Sequence, residues 1–402
     1  MTAAPAAATL LRPPLWVLIA ISMLQPFALN VLAPATPGLA RSLQTDYATV
    51  QLTLTLYLMT VAVVQLLVGP ISDRIGRRPC ILAGIALFAV GSVLGALAEQ
   101  IETLLLARVV QAAGGGTCFA LSRAVVRDTA SRDESASLIG YITMGMVVAP
   151  MIAPMIGGVI DSHFGWRAIF LAMLAMTALV AAGAVVQLRE TAPREGGTGL
   201  GDLFRGYPEL LRSPAFVGYA LALSSTSAAF FSFIAGAPYV VVDVMGHKPD
   251  VYGYFFALNA GAYMIGNFLS GRFGQQVGSE RLARAGVYCS VVSVGLAVLC
   301  FAALPWTPAT LFVPLMLNGL GNGLTIPGGT ALALSVRPDL AGTAAGLTGA
   351  LQLGLGALAS IVTGFLVTVW APSLVMLILV FVLLGWLALA VLVPQQGRAG
   401  QG

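Results

Sequence analysis

Long apolar stretches alternate along the chain with short clusters of glycine, proline and charge. A run of roughly 20 apolar residues crosses a bilayer as a helix. Breaking the chain at its Gly, Pro and charge clusters leaves twelve such runs, near residues 15 to 38, 47 to 69, 80 to 98, 103 to 126, 136 to 160, 167 to 188, 215 to 242, 251 to 272, 281 to 303, 309 to 335, 341 to 369 and 373 to 393. Strands of a membrane barrel would be about 10 residues long and alternate in polarity, whereas these runs are continuous. The pattern predicts an all-α integral membrane protein with twelve transmembrane helices.

The longest polar stretch, Arg189 to Ser213, carries Gly196, Gly197, Gly199, Gly201 and Gly206 among mixed charges, the composition of a flexible linker. It divides the chain into a tail (1–14), a six-helix bundle (15–188), the linker (189–214), a second six-helix bundle (215–393) and a tail (394–402). Internal repetition supports the cut. Gly69-Pro-Ile-Ser-Asp-Arg-Ile-Gly76 has a worn counterpart in Gly271-Arg-Phe-Gly-Gln-Gln-Val-Gly278, and Gly114-Gly-Gly116 has one in Gly321-Asn-Gly323. The two offsets nearly agree, so the bundles are expected to be pseudo-symmetric copies, an architecture in which rocking about a midplane site gives alternating access.

Composition agrees: 58% of residues are hydrophobic, only 9% are charged, and the mean hydropathy is +0.91, which excludes an ordinary soluble domain. With both termini on one side, all but Arg41, Arg108, Arg167 and Lys248 of the 20 Lys and Arg residues fall on that side. By the positive-inside rule both termini are cytoplasmic. The basic character is thus a topology signal and not one of nucleic-acid binding. The predominance of Arg over Lys and the compact loops fit a bacterial inner membrane. The first span has no short core with a cleavage site, so it reads as a retained helix and not a signal peptide. Cys80, Cys118, Cys289 and Cys300 lie in or beside apolar runs, where packing is the expected role. His163 and His247 lack ligand-like neighbours, which argues against a metal. There is no phosphate-binding Gly-x-x-x-x-Gly-Lys, and the single lysine is Lys248, so ATP is not the energy source. No set of residues is placed for catalysis, and no enzyme activity is expected.

The segment Gly69-Pro-Ile-Ser-Asp73-Arg74-Ile-Gly76-Arg77-Arg78-Pro79 gathers four charges between two apolar runs and is expected to be a short loop in water. It resembles the loop between the second and third helices shared by the major facilitator superfamily. Leu106-Ala-Arg108-Val-Val-Gln111-Ala-Ala-Gly114 is similar to that family's fourth-helix motif with an embedded Arg. Gly145-Met-Val-Val-Ala-Pro150-Met-Ile-Ala-Pro154-Met-Ile-Gly157-Gly158 is similar to the fifth-helix motif of its antiporters. Trp166-Arg-Ala-Ile-Phe170, Ala237-Pro-Tyr239 and Ala341-Gly-Thr-Ala-Ala-Gly346 resemble the Bcr/CflA-type drug:proton antiporters within it. The resemblance covers nearly the whole chain and implies a drug-efflux exporter driven by the proton gradient, with no cofactor. Its cavity would lie between helices 1, 2, 4 and 5 and their counterparts 7, 8, 10 and 11. One departure stands out: Asn30 occupies the place near the outer part of helix 1 where this subfamily carries an Asp. No carboxylate falls in the centre of any span.

Individual residues carry open alternatives. Arg108, inside the fourth span, is either a structural Arg held by carbonyls or polar side chains, or a functional one. As a functional residue it would bind an electron-rich substrate or set the protonation of an outer carboxylate, and the resemblance favours this last, coupling role. Asp73, at the N-terminal end of the third helix, with Arg74, Arg77, Arg78 and Asp128 could form a gating latch, or simply a solvated loop. Gly145, Pro150, Pro154, Gly157 and Gly158 read as a bent, closely packed interface. Gln25, Asn30, Tyr57, Gln65, Gln111, Tyr141, Tyr239, Asn259, Tyr263, Asn267, Asn318, Asn322 and Gln352 are the polar candidates for a neutral, hydrogen-bonding cavity. Such a cavity suits uncharged amphipathic compounds better than permanent cations. Partners are then the small-molecule cargo and lipid, and the chain is expected to act as a monomer. A metabolite exporter for sugars or amino acids, a weakly coupled or uncoupled facilitator, and a transporter-like sensor are the competing readings.

Overall fold

The computed structural model describes residues 13–129, 132–191, 206–337 and 340–393. Both tails and most of the expected linker lie outside the described residues, as do the side chains at Pro70, Arg127, Tyr141 and Gly145. Twelve long helices follow one another: α1 (Leu15–Val31, extended by a 3-10 turn at Ala33–Ala35 and by Thr36–Ser42), α2 (Tyr47–Ile75), α3 (Arg77–Ala96), α4 (Ile101–Thr129), α5 (Arg132–Phe164), α6 (Trp166–Gln187), α7 (Pro214–Tyr239), α8 (Pro249–Val277), α9 (Ser279–Ala303), α10 (Pro308–Ser335), α11 (Ala341–Val369) and α12 (Ser373–Leu392). A five-residue helix, Tyr207–Leu211, lies within the expected linker. There is no strand among the described residues.

Ten of these helices are long and apolar enough to cross a membrane. Over its described residues α5 contributes the shorter apolar run Val148–Phe164, and the apolar run of α8 is interrupted by Asn259, Tyr263 and Asn267. Leu179, Val186, Phe268, Leu299 and Val391 are largely exposed around the outside, as a surface solvated by lipid requires. The helix ends are marked by local chemistry. Asp46 caps α2, its carboxylate accepting from the Thr49 hydroxyl at 2.6 Å and the Thr49 backbone N–H at 2.8 Å, and these bonds hold its carboxyl below the usual range. Thr307 and Thr310 form a reciprocal capping box at the start of α10.

Gly69 to Pro79 corrects the expectation of a loop. Helix α2 continues to Ile75, α3 begins at Arg77, and Gly76 alone breaks the backbone. Charge density requires water or headgroups but does not require the chain to unwind, because a helix satisfies its own backbone groups. Likewise the first helical path runs four residues beyond the expected end, to Ser42, by tightening into a 3-10 turn around Pro34.

Close packing repeats in the two halves. A Cβ on Gly114 of α4 would lie 2.3 Å from the Gly84 carbonyl of α3, and one on Gly321 of α10 would lie 2.5 Å from the Gly286 carbonyl of α9. Only glycine admits this backbone approach. With twelve helices crossing the bundle in turn, the start of α1 and the end of α12 lie at one end, the terminal end, and the halves meet at the opposite, distal end. There Tyr47 Oη donates to the Ala235 carbonyl at 2.6 Å, Thr55 and Ser360 hydroxyls lie 2.7 Å apart, and Arg41 pairs with Asp243. Toward the terminal end α2 and α4 stand apart from α11 around a space of about 360 Å³, lined by Gln65, Phe119, Arg123, Gly346 and Gly349.

Candidate functional site

Three constellations carry the polar residues of the bundle. The first is the turn at Gly76, where a φ of 112° and ψ of 149° place the backbone in a region essentially confined to glycine. The turn aims the buried Arg77 between two carboxylates, 2.6 Å from Asp73 and 2.9 Å from Asp128. Its planar guanidinium reaches both, as a lysine could not. The acid at the start of α3 is not Asp73, as the sequence suggested, but Glu190, which follows α6. Its carboxylate accepts from the backbone N–H of Arg77 at 2.8 Å and of Arg78 at 3.3 Å. Asp73 belongs to the last turn of α2 and meets the Arg77 side chain instead. The Arg78 Nε donates to the Leu188 carbonyl at 2.8 Å, while Arg74 stays exposed. Nothing in the sequence ties position 190 to position 77, so Glu190 escaped the sequence reading.

The second constellation surrounds Arg108, which is 1% exposed in α4. Its Nη1 donates to Gln111 Oε1 at 2.5 Å, Gln111 Nε2 donates to the Ser92 hydroxyl at 2.9 Å, and the guanidinium lies 4.2 Å over the ring of Tyr57. Tyr57 donates to the Gln25 carbonyl at 3.3 Å. No carboxylate pairs with Arg108 among the described residues. Asn30 turns back on its own helix, donating to the Pro26 carbonyl at 2.8 Å, and its Oδ1 is buried without a partner.

The third constellation is a cavity of about 300 Å³ between α5, α7, α8 and α10, with Ile378 of α12 at its edge. Phe230, Phe233 and Phe256 supply aromatic walls, and Asn259, Tyr263, Asn318 and Asn322 supply polar groups. Asn259 Oδ1 and Asn318 Oδ1 are buried and unpartnered. Gln352 stands behind the wall, accepting from the lining Ser227 hydroxyl at 3.0 Å. No charged side chain lines the cavity among the described residues.

This arrangement corrects the expected cavity. Gln25, Asn30, Tyr57 and Gln111 do not line it, because they are turned among the helices of the first half, and Tyr239 packs against Tyr47 at the distal end, their rings tilted with centroids 4.8 Å apart. Composition identifies polar residues in a span but not the helix face they occupy. The spacings that did point here were Asn259 with Tyr263 and Asn318 with Asn322, each four residues apart and so on one face. From the fifth-helix motif, Pro150 lines the cavity. Pro154 presents its carbonyl to Gly253, where a Cβ would lie 2.6 Å away. Gly157 packs on Val31 and Gly158 on Pro249, with a Cβ on either falling under 3 Å from a carbonyl oxygen. The motif therefore packs α5 against both α1 and α8. Among the described residues no group of His, Cys, Asp and Glu could hold a metal.

A twelve-helix bundle in two halves with a closed distal end and a central cavity defines a transporter, and comparison with known proteins names the family. The family model described as the Major Facilitator Superfamily matches residues 18–360. The chain is 31% identical to the MFS-type transporter YdgK of Bacillus subtilis over 88% of each chain. It is 31% identical to Multidrug resistance protein D of Escherichia coli over 92% of this chain and 94% of that one. It is 30% identical to a bicyclomycin resistance protein homolog of Haemophilus influenzae over 88% and 89%. The crystal structure of a bacterial homolog of the human lysosomal transporter Spinster, inward-facing and unoccupied, superposes with a TM-score of 0.71 at 17% identity, covering 94% of this chain and 95% of that one. The chain belongs to the Major Facilitator Superfamily, and it is a multi-pass membrane transporter of that fold.

Proposed function

We infer that this protein is an exporter of the bacterial inner membrane that moves small, uncharged amphipathic compounds outward by alternating access. The observation that carries the reading is the cavity of about 300 Å³ with aromatic walls, unpartnered amide oxygens and no charge among its described lining residues. That volume is at the lower end of the roughly 300–1,000 Å³ of small-molecule sites. A permanent cation placed there would lose its hydration with no carboxylate to replace it. The relatives named for multidrug and bicyclomycin resistance support a drug-like cargo. Both termini are cytoplasmic in this reading, so the contacts at the distal end close the outward path and the cavity is reached from the cytoplasm. The protein works as a monomer without metal or organic cofactor. Proton antiport supplies the energy, with Arg108 in the coupling role and the Asp73–Arg77–Asp128 set as the latch.

Inverted membrane vesicles test the reading when a pH gradient is imposed and a neutral phenicol, a bicyclomycin-like polyol or a cationic dye is added. The expected result is proton release and accumulation with the neutral compounds and none with the dye, and loss of both signals in an Asn259→Leu, Asn318→Leu double variant that still inserts. Transport of the dye alone would overturn it.

A further inference from the structure

Asp161 is a carboxylate that neither the cavity nor the latch uses. It lies in the last turn of α5, at the distal end, and is half-buried. Among the described residues it accepts no hydrogen bond. A Cβ on Gly38 would lie 3.7 Å from its Oδ2, so the group faces the helical extension of α1. Arg41 follows Gly38 by three residues, on the same face of that extension, and its charge acts on Asp161. Yet Arg41 is already paired with Asp243, just beyond α7 in the other half. One guanidinium thus stands between a carboxylate of its own half and one across the seam. A further carboxylate approaches from the other half: a Cβ on Gly158, one turn before Asp161, would lie 3.0 Å from the Cα of Asp250, whose Oδ1 is buried without a partner. The other ionisable groups at this end do not balance the charge. His163 turns to the Val159 carbonyl, Arg167 is held at the Ala98 carbonyl and over the Trp166 ring, Lys248 is exposed, and Tyr47 packs against Tyr239. Closing the distal end therefore gathers three carboxylates around one Arg, and a proton on one of them relieves the repulsion. Asp161 faces Arg41 from the same half, so its proton decides whether the guanidinium is shared.

We propose that Asp161 makes the distal end responsive to protons from outside. Protonated, it leaves Arg41 to Asp243 and the halves stay together. Ionised, it draws Arg41 toward its own half, repels Asp250 across the seam and favours opening. The closed end binds the proton more tightly than the open one, so lowering the pH shifts the population toward closure. Only the side from which the proton comes rests on the cytoplasmic placement of the termini, and the response itself requires no cargo.

The purified full-length protein in detergent, with no cargo and no gradient, provides the test. Spin labels at the exposed positions of Gln100→Cys in the first half and Ala303→Cys in the second, in a background lacking the four native cysteines, report the width of the distal end by electron–electron distance measurement. Between about pH 8 and about pH 5 the closed-to-open ratio is expected to rise at least about fivefold, the lower end of couplings between sites. Asp161→Asn, which removes the charge and keeps the shape, is expected to stay closed across this range and to lose the response. Should that variant fail to fold, Asp161→Ala carries the same expectation. A ratio that does not change with pH in the native protein overturns the proposal. A native response in whichever variant folds also overturns it, because another group then takes the proton, and so does a variant that stays open.

Discussion

At Gly76 the chain leaves α2 with a φ of 112° and enters α3 one residue later, and at Gly278 it leaves α8 with a φ of 93° and enters α9 in the same way. Around Gly76 lie a buried Arg between two carboxylates and a third carboxylate, from beyond α6, on the backbone N–H groups of α3. Around Gly278 there is open space, and the nearest charge pair is Arg284 with Glu280 within one helix, at 3.0 Å. Both halves need the backbone reversal, since a spanning helix cannot turn back without it, and both retained a glycine for it. Among the described residues, one half alone surrounds the reversal with ion pairs between helices. What the two turns share thus belongs to folding, and what only Gly76 has belongs to a task that one half performs for both.

The largest effect is expected from adding the same methyl group to each turn. At Gly76 a Cβ would lie 2.4 Å from Glu190 Oε2 and 2.9 Å from its Cδ, so Gly76→Ala displaces the carboxylate in addition to the backbone strain of about 1–3 kcal/mol. Gly278→Ala meets no atom within 4 Å and carries the strain alone. We expect Gly76→Ala to abolish most transport and to lower the melting temperature of the purified protein more than Gly278→Ala, which keeps transport. Equal losses in the two variants would mean that the turns differ in decoration only.

A second test leaves the backbone untouched. Arg77→Lys keeps the charge but replaces a planar fork by a single point, so it cannot serve Asp73 and Asp128 together. Transport is expected to fall on the order of tenfold, the effect of ~1.4 kcal/mol on a rate-limiting step, with insertion unchanged. The matching change Arg284→Lys touches a pair within one helix, a class contributing only about 0.3–0.5 kcal/mol, and one bond to the Val393 carbonyl outside any ion-pair network, and is expected to leave transport near the native rate. Native transport by Arg77→Lys would reduce the network to a solvated surface.

The comparison also marks what a sequence can disclose. The twelve spans were legible because a bilayer imposes a length and an apolar composition on each. The repeat of Gly114 in Gly321 was legible because close backbone approach at both positions excludes every other residue type. The continuation of α2 through Asp73 to Ile75 was not, since a cluster of charges looks the same whether it lies on a helix end or in a loop. The cavity was half legible. Asn259, Tyr263, Asn318 and Asn322 were among the candidates, but so were Gln25, Tyr57 and Gln111, which are taken up in contacts among α1, α2, α3 and α4 instead. Deciding between them requires the rotation of each helix about its axis, which the very uniformity of an apolar span conceals: α12 and α6 have almost no polar stripe to orient them.

The smallest expected effect separates the two turns most finely. A helix N-terminus favours a negative group, worth about 0.3–1 kcal/mol when exposed. Helix α9 has one in its own first turn, Glu280, whereas α3 begins Arg77-Arg78-Pro79 and has none. Glu190 supplies the missing charge from outside the helix and, in doing so, ties the end of α6 to the start of α3. Glu190→Gln keeps one carbonyl oxygen for the Arg77 N–H but loses the charge and the second acceptor. We expect it to lower stability by roughly 0.5–1 kcal/mol and to raise hydrogen exchange at Arg77, Arg78 and the residues just after α6. Glu280→Gln is expected to have a smaller effect, confined to the start of α9 and to Val393, whose carbonyl accepts from Glu280's partner Arg284 at 3.0 Å. Exchange that rises at α3 without rising beyond α6 would show that Glu190 caps a helix but does not hold two helices together, and the first turn would then reach no further than the second, where Arg284 ties α9 to the Val393 carbonyl.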